Sequence, residues 1–261
     1  MKKTANLFEI VALLLILFSV AACETSLGND IAESKPVPVS VPVTASPYLG
    51  ITTMVVTDQQ VYELNHTPGG ISTMHSPYKG PDLTIDALAL SGSHLVGNGE
   101  ITNGKLSIAV PPLSSTVLAK GEDLLGGFGE WSKAGAVVKI LSPINEDLKD
   151  EKIGNAVVLA SVVSAPPGFD KILMKWGFSG TRTSLSAEEM VYYYVDRDCK
   201  IIASEGVDLS LNYIYPAFTL ELKKGWNVVC LIETYTTSGI STYSAELKNP
   251  NHAWVLLQPP S

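Results

Sequence analysis

The chain has 261 residues, a formal net charge of −8 and an isoelectric point near 5.0. That acidic balance excludes nucleic-acid or anionic-lipid binding driven by bulk charge. The three cysteines and four histidines are spread too widely to give a zinc-type ligand spacing.

Residues 1–22 read as a signal peptide. Lys2 and Lys3 form a basic start, and an apolar run over Ile10–Val20 follows, short for a transmembrane span. Glu9 sits at its edge. Val20-Ala21-Ala22-Cys23 then has the form of a bacterial lipobox, with lipidation expected at Cys23. The competing reading is an ordinary cleaved signal with an incidental cysteine. Acyl chains contribute roughly 0.8 kcal/mol per buried CH₂, so two or more moor a domain stably without a span. No other cofactor is implied. Glu24, where an Asp would favour inner-membrane retention, points to the outer membrane or cell surface, facing outward or into the periplasm.

Residues 23–47 read as the lipidated start and an extended linker. ETSLGNDIAESK is polar and patternless, and PVPVSVPVTASP alternates proline with valine. Proline at that spacing removes backbone donors and favours a polyproline-type spacer. Val37–Val43 as an edge strand is the alternative.

The remainder predicts an all-β fold, one or two antiparallel β-sandwich (Ig-like) units. β-Branched and aromatic runs recur at 51–56, 82–90, 105–110, 136–141, 155–163, 171–178, 190–195, 218–222, 227–235, 241–247 and 253–257. NEDLKDEK at 145–152 is the best helical fragment and is nearly all charge. GEITNGKL at 99–106 is close to a phosphate loop. However, Leu106 stands where Ser or Thr is needed, and LSIAVPP cannot start a helix. Asn103-Gly104 instead suits a type I′ hairpin turn. FTLELKKGWNVVCLIE at 218–233 reads as a second hairpin. Apolar residues on both faces of its return strand imply a central strand. Two hairpins with a break near 120–135 divide the chain into units 48–130 and 131–261, with one undivided domain as the rival reading.

YYYVDRDCKI at 192–201, LELKKGWNVVCLI at 220–232 and GEITNGKLSIAVP at 99–111 together resemble a family of surface lipoproteins of spirochaetes and other bacteria with two membranes. That resemblance covers about a third of the mature chain. It implies location and β architecture, and no activity. The pair Cys199 and Cys230 is not a feature of the pattern. In an exported chain they either form a disulfide or remain as buried thiols.

Catalytic signatures are missing from the sequence: there is no G-x-S-x-G and no H-E-x-x-H. His66, His75, His94 and His252 are scattered in turn-like surroundings, and surface histidines are the plainer reading of them than metal ligands. Asp196-Arg197-Asp198 reads as a turn holding its own ion pair, since Lys200 stands where a calcium loop needs an acid. Asp82 and Asp86 share the wet face of a strand. Seven of the ten tyrosines follow residue 190. In Tyr192-Tyr193-Tyr194 the middle ring must point opposite to its neighbours, which makes these three a candidate binding platform.

The expected function is a lipid-anchored envelope or surface lipoprotein, a non-enzymatic binding or structural β module. A carbohydrate-recognition module on the tyrosines and a loop-built hydrolase are the alternatives, and assembly through open sheet edges is a third. Expected partners are the membrane through the lipid and a glycan or protein, with no nucleic acid.

Overall fold

A computed structural model describes residues 49–257, apart from 68–69, 91–93, 162–170, 182–183 and 238; side chains of 64–75 and 181 are not described. The signal peptide, Cys23 and the linker to residue 47 lie outside the described residues, as do the side chains of His66 and His75.

The described residues are mostly strand. First come β1 (Met54–Thr67), β2 (Gly70–Pro77), β3 (Leu83–Ala89), β4 (His94–Thr102) and β5 (Lys105–Val110). β6 (Ala119–Lys120) leads into two short helices, α1 (Gly121–Leu124) and α2 (Gly129–Lys133). β7 (Val138–Leu141), β8 (Lys152–Ser161), β9 (Lys171–Thr181) and β10 (Ser184–Val195) follow. The last seven are β11 (Cys199–Ala203), β12 (Gly206–Asp208), β13 (Tyr213–Tyr215), β14 (Phe218–Leu222), β15 (Gly225–Thr236), β16 (Ser241–Leu247) and β17 (Ala253–Leu257). Every apolar run named above overlaps a strand, so the all-β expectation holds. The charged fragment 145–152 is not helical: it is turn and loop with a bridge at Asp147, and its last residue starts β8, whereas α1 and α2 fall in the break at 120–135. Among the described residues, no helix is long and apolar enough to cross a membrane.

Strand pairing closes a ring: β8–β3–β4–β5–β1–β17–β9 and back to β8. All its pairings are antiparallel except β1 with β17. Closure leaves those strands without a free edge. β10 leans on this ring at a fork, pairing with β9 through its first half and with β8 through its last four residues. β15, β16, β13 and β12 extend outward from β10. A separate three-stranded sheet runs β14–β11–β7. Strands from both sides of residue 130 share one sheet and one core, so the boundary expected there does not divide the sheet.

Side-chain parity explains the layering. Tyr192 and Tyr194 of β10, with Trp226, Val228, Cys230 and Ile232 of β15, join the ring's inward residues in one core cluster. Tyr193 and Val195, with Val229 and Leu231, join a second cluster built with β7, β11, β14 and the helices. β10 and β15 are therefore covered on both faces over these positions, as two-sided burial of the sequence implies. In β1 a register shift between Val56 and Gln59, with Asp58 at φ 54°, swaps the inward parity, so that Met54 and Val61 both reach the core.

The first hairpin is as expected. Thr102 pairs with Lys105, and Asn103 and Gly104 have φ of 51° and 78°. The second is not a hairpin. β14 pairs with β11, whereas β15 pairs with β10 and β16. Residues 223–225 are a corner that carries the chain from one sheet to the other. Asn227 builds that corner: its Oδ1 accepts from the Lys223 N–H at 2.9 Å, and its Nδ2 donates to the Lys223 carbonyl at 2.7 Å. Gly225 sits at φ 110° against the Gly50 and Ile51 backbone, where a side chain would collide. The Asp196–Asp198 corner lies alongside, and Asp198 accepts from the Lys224 N–H at 2.9 Å and from Lys223 Nζ at 3.0 Å.

Candidate functional site

Three places gather the side chains able to do chemistry or binding: the two faces of β10, and the turns at the far end of β15.

On one face of β10, Glu188 is buried beneath the segment joining β16 to β17. Its Oε1 accepts from Ser179 Oγ at 2.8 Å and from Lys248 Nζ at 3.1 Å, and its Oε2 lies 2.8 Å from His252 Nε2. The imidazole rests on Gly177, where a Cβ would come within 2.5 Å of Nδ1. Glycine there lets the ring cross the β9–β10 pair to the carboxylate. Burial alone raises a carboxyl pKa, but the hydrogen bonds from His252, Ser179 and Lys248 outweigh it together and hold Glu188 ionised below its ordinary range. Ser179 donates to the carboxylate and not to the imidazole. The cluster is thus a clamp on residues 248–252 and not a nucleophile relay of the serine–histidine kind.

On the other face, Glu189 is buried with no comparable partner, and its Oε2 makes no hydrogen bond among the described residues. Burial pushes its pKa up to about 7. Tyr193 lies on the same face, its hydroxyl without a hydrogen-bond partner among the described residues. Further along, the buried Glu233 accepts from the Tyr213 hydroxyl at Oε1, and burial raises its pKa also.

The tyrosine platform needs correcting. Tyr192, Tyr193 and Tyr194 are all buried, at 7% exposure or less. The middle ring does point opposite to the outer two, but each direction meets a packed layer. Tyr192 stacks on Trp254 at 6.1 Å, Tyr194 meets Trp226 edge-on at 5.3 Å, and Tyr193 stacks on Phe128 at 6.1 Å. The centre of the second layer is Trp131, within 5.0–5.7 Å of Phe128, Tyr215, Phe218 and Tyr243. Its place before the tyrosine-rich half hides it in the sequence. Only its position between apolar Phe128 and the Gly135 turn signals a buried helix.

Cys199 and Cys230 are free thiols, and the disulfide alternative is corrected. Cys230 belongs to the first cluster and Cys199 to the second, so the β15 layer separates them. Burial pushes both thiols up to about 12, which keeps them protonated and unreactive. Arg197 forks onto Asp196 at 2.8 and 3.1 Å, the ion-paired turn expected. Asp82, just before β3, is exposed and accepts from the Asn103 N–H at 2.9 Å, and Asp86 is half-buried in the middle of β3. Among the described residues no group of three or more His, Cys, Asp or Glu is placed to hold a metal.

The third place is an apex. The β12–β13 turn carries Leu209, 84% exposed, and Leu211, 50% exposed. Asp208 fixes that turn by accepting from Ser210 N–H at 2.9 Å, Ser210 Oγ at 2.6 Å and Leu211 N–H at 3.2 Å. The Asn212 carbonyl accepts from Ser241 N–H at 3.0 Å, which sets the turn against Ile240, 47% exposed. Thr236 Oγ1 donates to the Ile240 carbonyl at 2.6 Å and closes the β15–β16 turn. Leu185, 42% exposed, lies on β10 and pairs with Tyr235 of the neighbouring β15. No sequence signal marked this group, because isolated leucines in turns carry no periodicity. Elsewhere, a shallow groove of about 580 Å³ crosses the outer sheet beside Val137, Ile202 and Phe218.

No protein-family model matches the chain, and neither the curated proteins nor the solved structures contain a match to it.

Proposed function

We propose that this chain is a lipid-anchored envelope or surface lipoprotein, and that its β domain is a non-enzymatic binding module that works through the apex. The observation that carries the reading is the polarity of the domain. The chain enters at Ile51, bridged to Trp226 by hydrogen bonds of 3.0 and 2.8 Å, at the start of β15. The exposed leucines lie beyond Thr236, at the other end of the same strand. Twelve residues of strand separate the two ends by about 36 Å. A domain slung from residue 49 holds its apolar turns away from its point of attachment. The signal peptide, the lipobox ending at Cys23 and the Pro/Val linker supply the sling, and the resemblance to spirochaete-type surface lipoproteins agrees with it.

The test is metabolic labelling with palmitate in an expressing bacterium with two membranes. Label is expected on the wild-type chain and is expected to vanish in Cys23→Ala. An unlabelled wild-type chain overturns the anchor. Proteinase treatment of intact cells then decides which side of the outer membrane the domain faces.

A further inference from the structure

We propose that the Pro/Val segment, residues 36–43, lies along the free edge of β14 and adds a parallel strand to the three-stranded outer sheet. This takes up the edge-strand alternative for Val37–Val43, and it holds whether or not Cys23 carries lipid.

The backbone of β14 is open on one side. The Ser204 N–H donates to the Val137 carbonyl at 3.0 Å. The antiparallel ladder therefore turns the backbone groups of Lys200 and Ile202 towards β7, and those of Cys199, Ile201 and Ala203 towards Leu222, Leu220 and Phe218 of β14. That leaves the N–H and C=O of Thr219 and Glu221 facing away from the sheet, with no backbone partner among the described residues. The opposite edge of the sheet is covered, because the Leu148 N–H donates to the Ile140 carbonyl at 3.0 Å and the Ser142 N–H to the Glu146 carbonyl at 2.8 Å. β14 has no such cover. It also carries none of the proline, bulge or inward charge that blunts an exposed edge, and such an edge accepts a further strand.

The point of entry selects the occupant. A Cβ on Gly50 would meet Lys223 Cβ at 3.2 Å, so the chain joins the domain at the corner that ends β14. Whatever precedes Leu49 is tethered a few residues from the open groups, and that effective concentration favours it over a second copy or a separate peptide. Length agrees. β14 is 5 residues, about 17 Å, and residues 36–48 span roughly 40 Å at about 3 Å per residue. A segment running up to Leu49 beside β14 has the direction of β14, so the pairing is parallel.

The sequence pattern suits that edge. Val37, Val39, Val41 and Val43 alternate with Pro36, Pro38, Ser40 and Pro42. Alternate residues of a strand turn their backbone groups to the same side. With the valines bonded to Thr219 and Glu221, all three prolines fall on the outer side, where a missing N–H costs nothing and closes the edge to further strands. A slip of one residue would set the prolines against β14 and lose the donors. In a parallel pair the valines share the face of Leu220 and Leu222, the buried side of β14. Residues 36–48 carry no charge, so none is buried.

The test is residue-resolved amide exchange by nuclear magnetic resonance on the full chain as the cell processes it, in detergent. The amides of Thr219 and Glu221 should be protected. With Val39→Pro and Val41→Pro together they should exchange at least about tenfold faster. With Pro38→Ala and Pro42→Ala they should stay protected. The Val229 amide of β15 should be protected throughout and reports an intact domain. If the paired prolines disturb Val229, deletion of residues 36–43 replaces them, with the same loss expected at 219 and 221.

Fast exchange at Thr219 and Glu221 in the wild-type chain overturns the proposal, since the edge is then empty. So does protection that survives both the paired prolines and the deletion. Protection that rises with protein concentration means a second copy on the edge and overturns it, and loss with the paired alanines overturns the valine register. A failed anchor shows separately, as an intact mass without acyl groups, and leaves the strand pairing to be read on the same protein.

Discussion

Glu188 and Glu189 are adjacent in sequence and buried within one strand, yet they face opposite layers and meet opposite fates. Glu188 has Ser179, Lys248 and His252 around it and stays ionised. Glu189 has none of these, and burial lifts it to about 7. A single residue step along β10 reverses the side a group faces, and the elements packed on that side decide its charge. The polar layer pins the β16–β17 connection. The apolar layer tolerates a neutral acid among aromatics.

The largest expected effect tests whether the two layers are one folding unit. Trp131→Ala removes the centre of the second layer and should cost about 3–5 kcal/mol. Because β10 and β15 belong to both clusters, urea unfolding followed by fluorescence and by far-ultraviolet dichroism should remain one coincident transition. Two separated transitions would show that the layers fold independently.

Next comes the pH dependence of Glu189. Its folded pKa, near 7, lies above the ordinary 4.5. The folded chain therefore holds a proton that the unfolded chain has released, and the stabilising contribution is complete below pH 4.5 and falls as pH rises to about 7. The loss amounts to about 3 kcal/mol over that window, and Glu189→Gln should flatten the curve there. A variant curve parallel to the wild type would place the titrating group elsewhere.

Glu188 gives the opposite sign. Its lowered pKa means stability present at neutral pH and lost as acid protonates the carboxylate. Glu188→Ala should cost about 2 kcal/mol at pH 7, and the difference from wild type should shrink in thermal melts towards pH 3. Gly177→Ala sharpens the same contrast from the other partner. Its Cβ meets the His252 ring at 2.5 Å, so about 1–2 kcal/mol should be lost as the ring is displaced. An unchanged melt would mean that His252 can move aside freely. The smallest effect is the absence of one: Cys199 and Cys230 should react with a thiol reagent only after denaturation, and a reducing agent should leave the melting temperature where it was.

Much of the fold is legible locally. The Asn103-Gly104 turn announces itself because only a few residues accept two consecutive positive φ angles. Double-sided burial of β15 is readable from Val229 and Leu231 alternating with Val228 and Cys230. The 218–233 segment misleads because a turn rich in Lys and Gly serves equally well between paired strands or at a corner between sheets. Asn227 and Asp198 settle which, and Asp198 arrives from 26 residues away. The tyrosines show the same limit, since parity along a strand fixes their directions but not whether a neighbouring layer covers each one.

By itself, the sequence determined the strand-forming segments, their inward and outward alternation and the first hairpin. Each of these is set by contacts within a few residues. Only the tertiary structure decided that the ring closes through β17, that the two cysteines lie on opposite sides of a layer, and which of two adjacent glutamates keeps its charge. Those outcomes depend on groups distant in the chain, whose approach is fixed by how the packed layers share the strands between them.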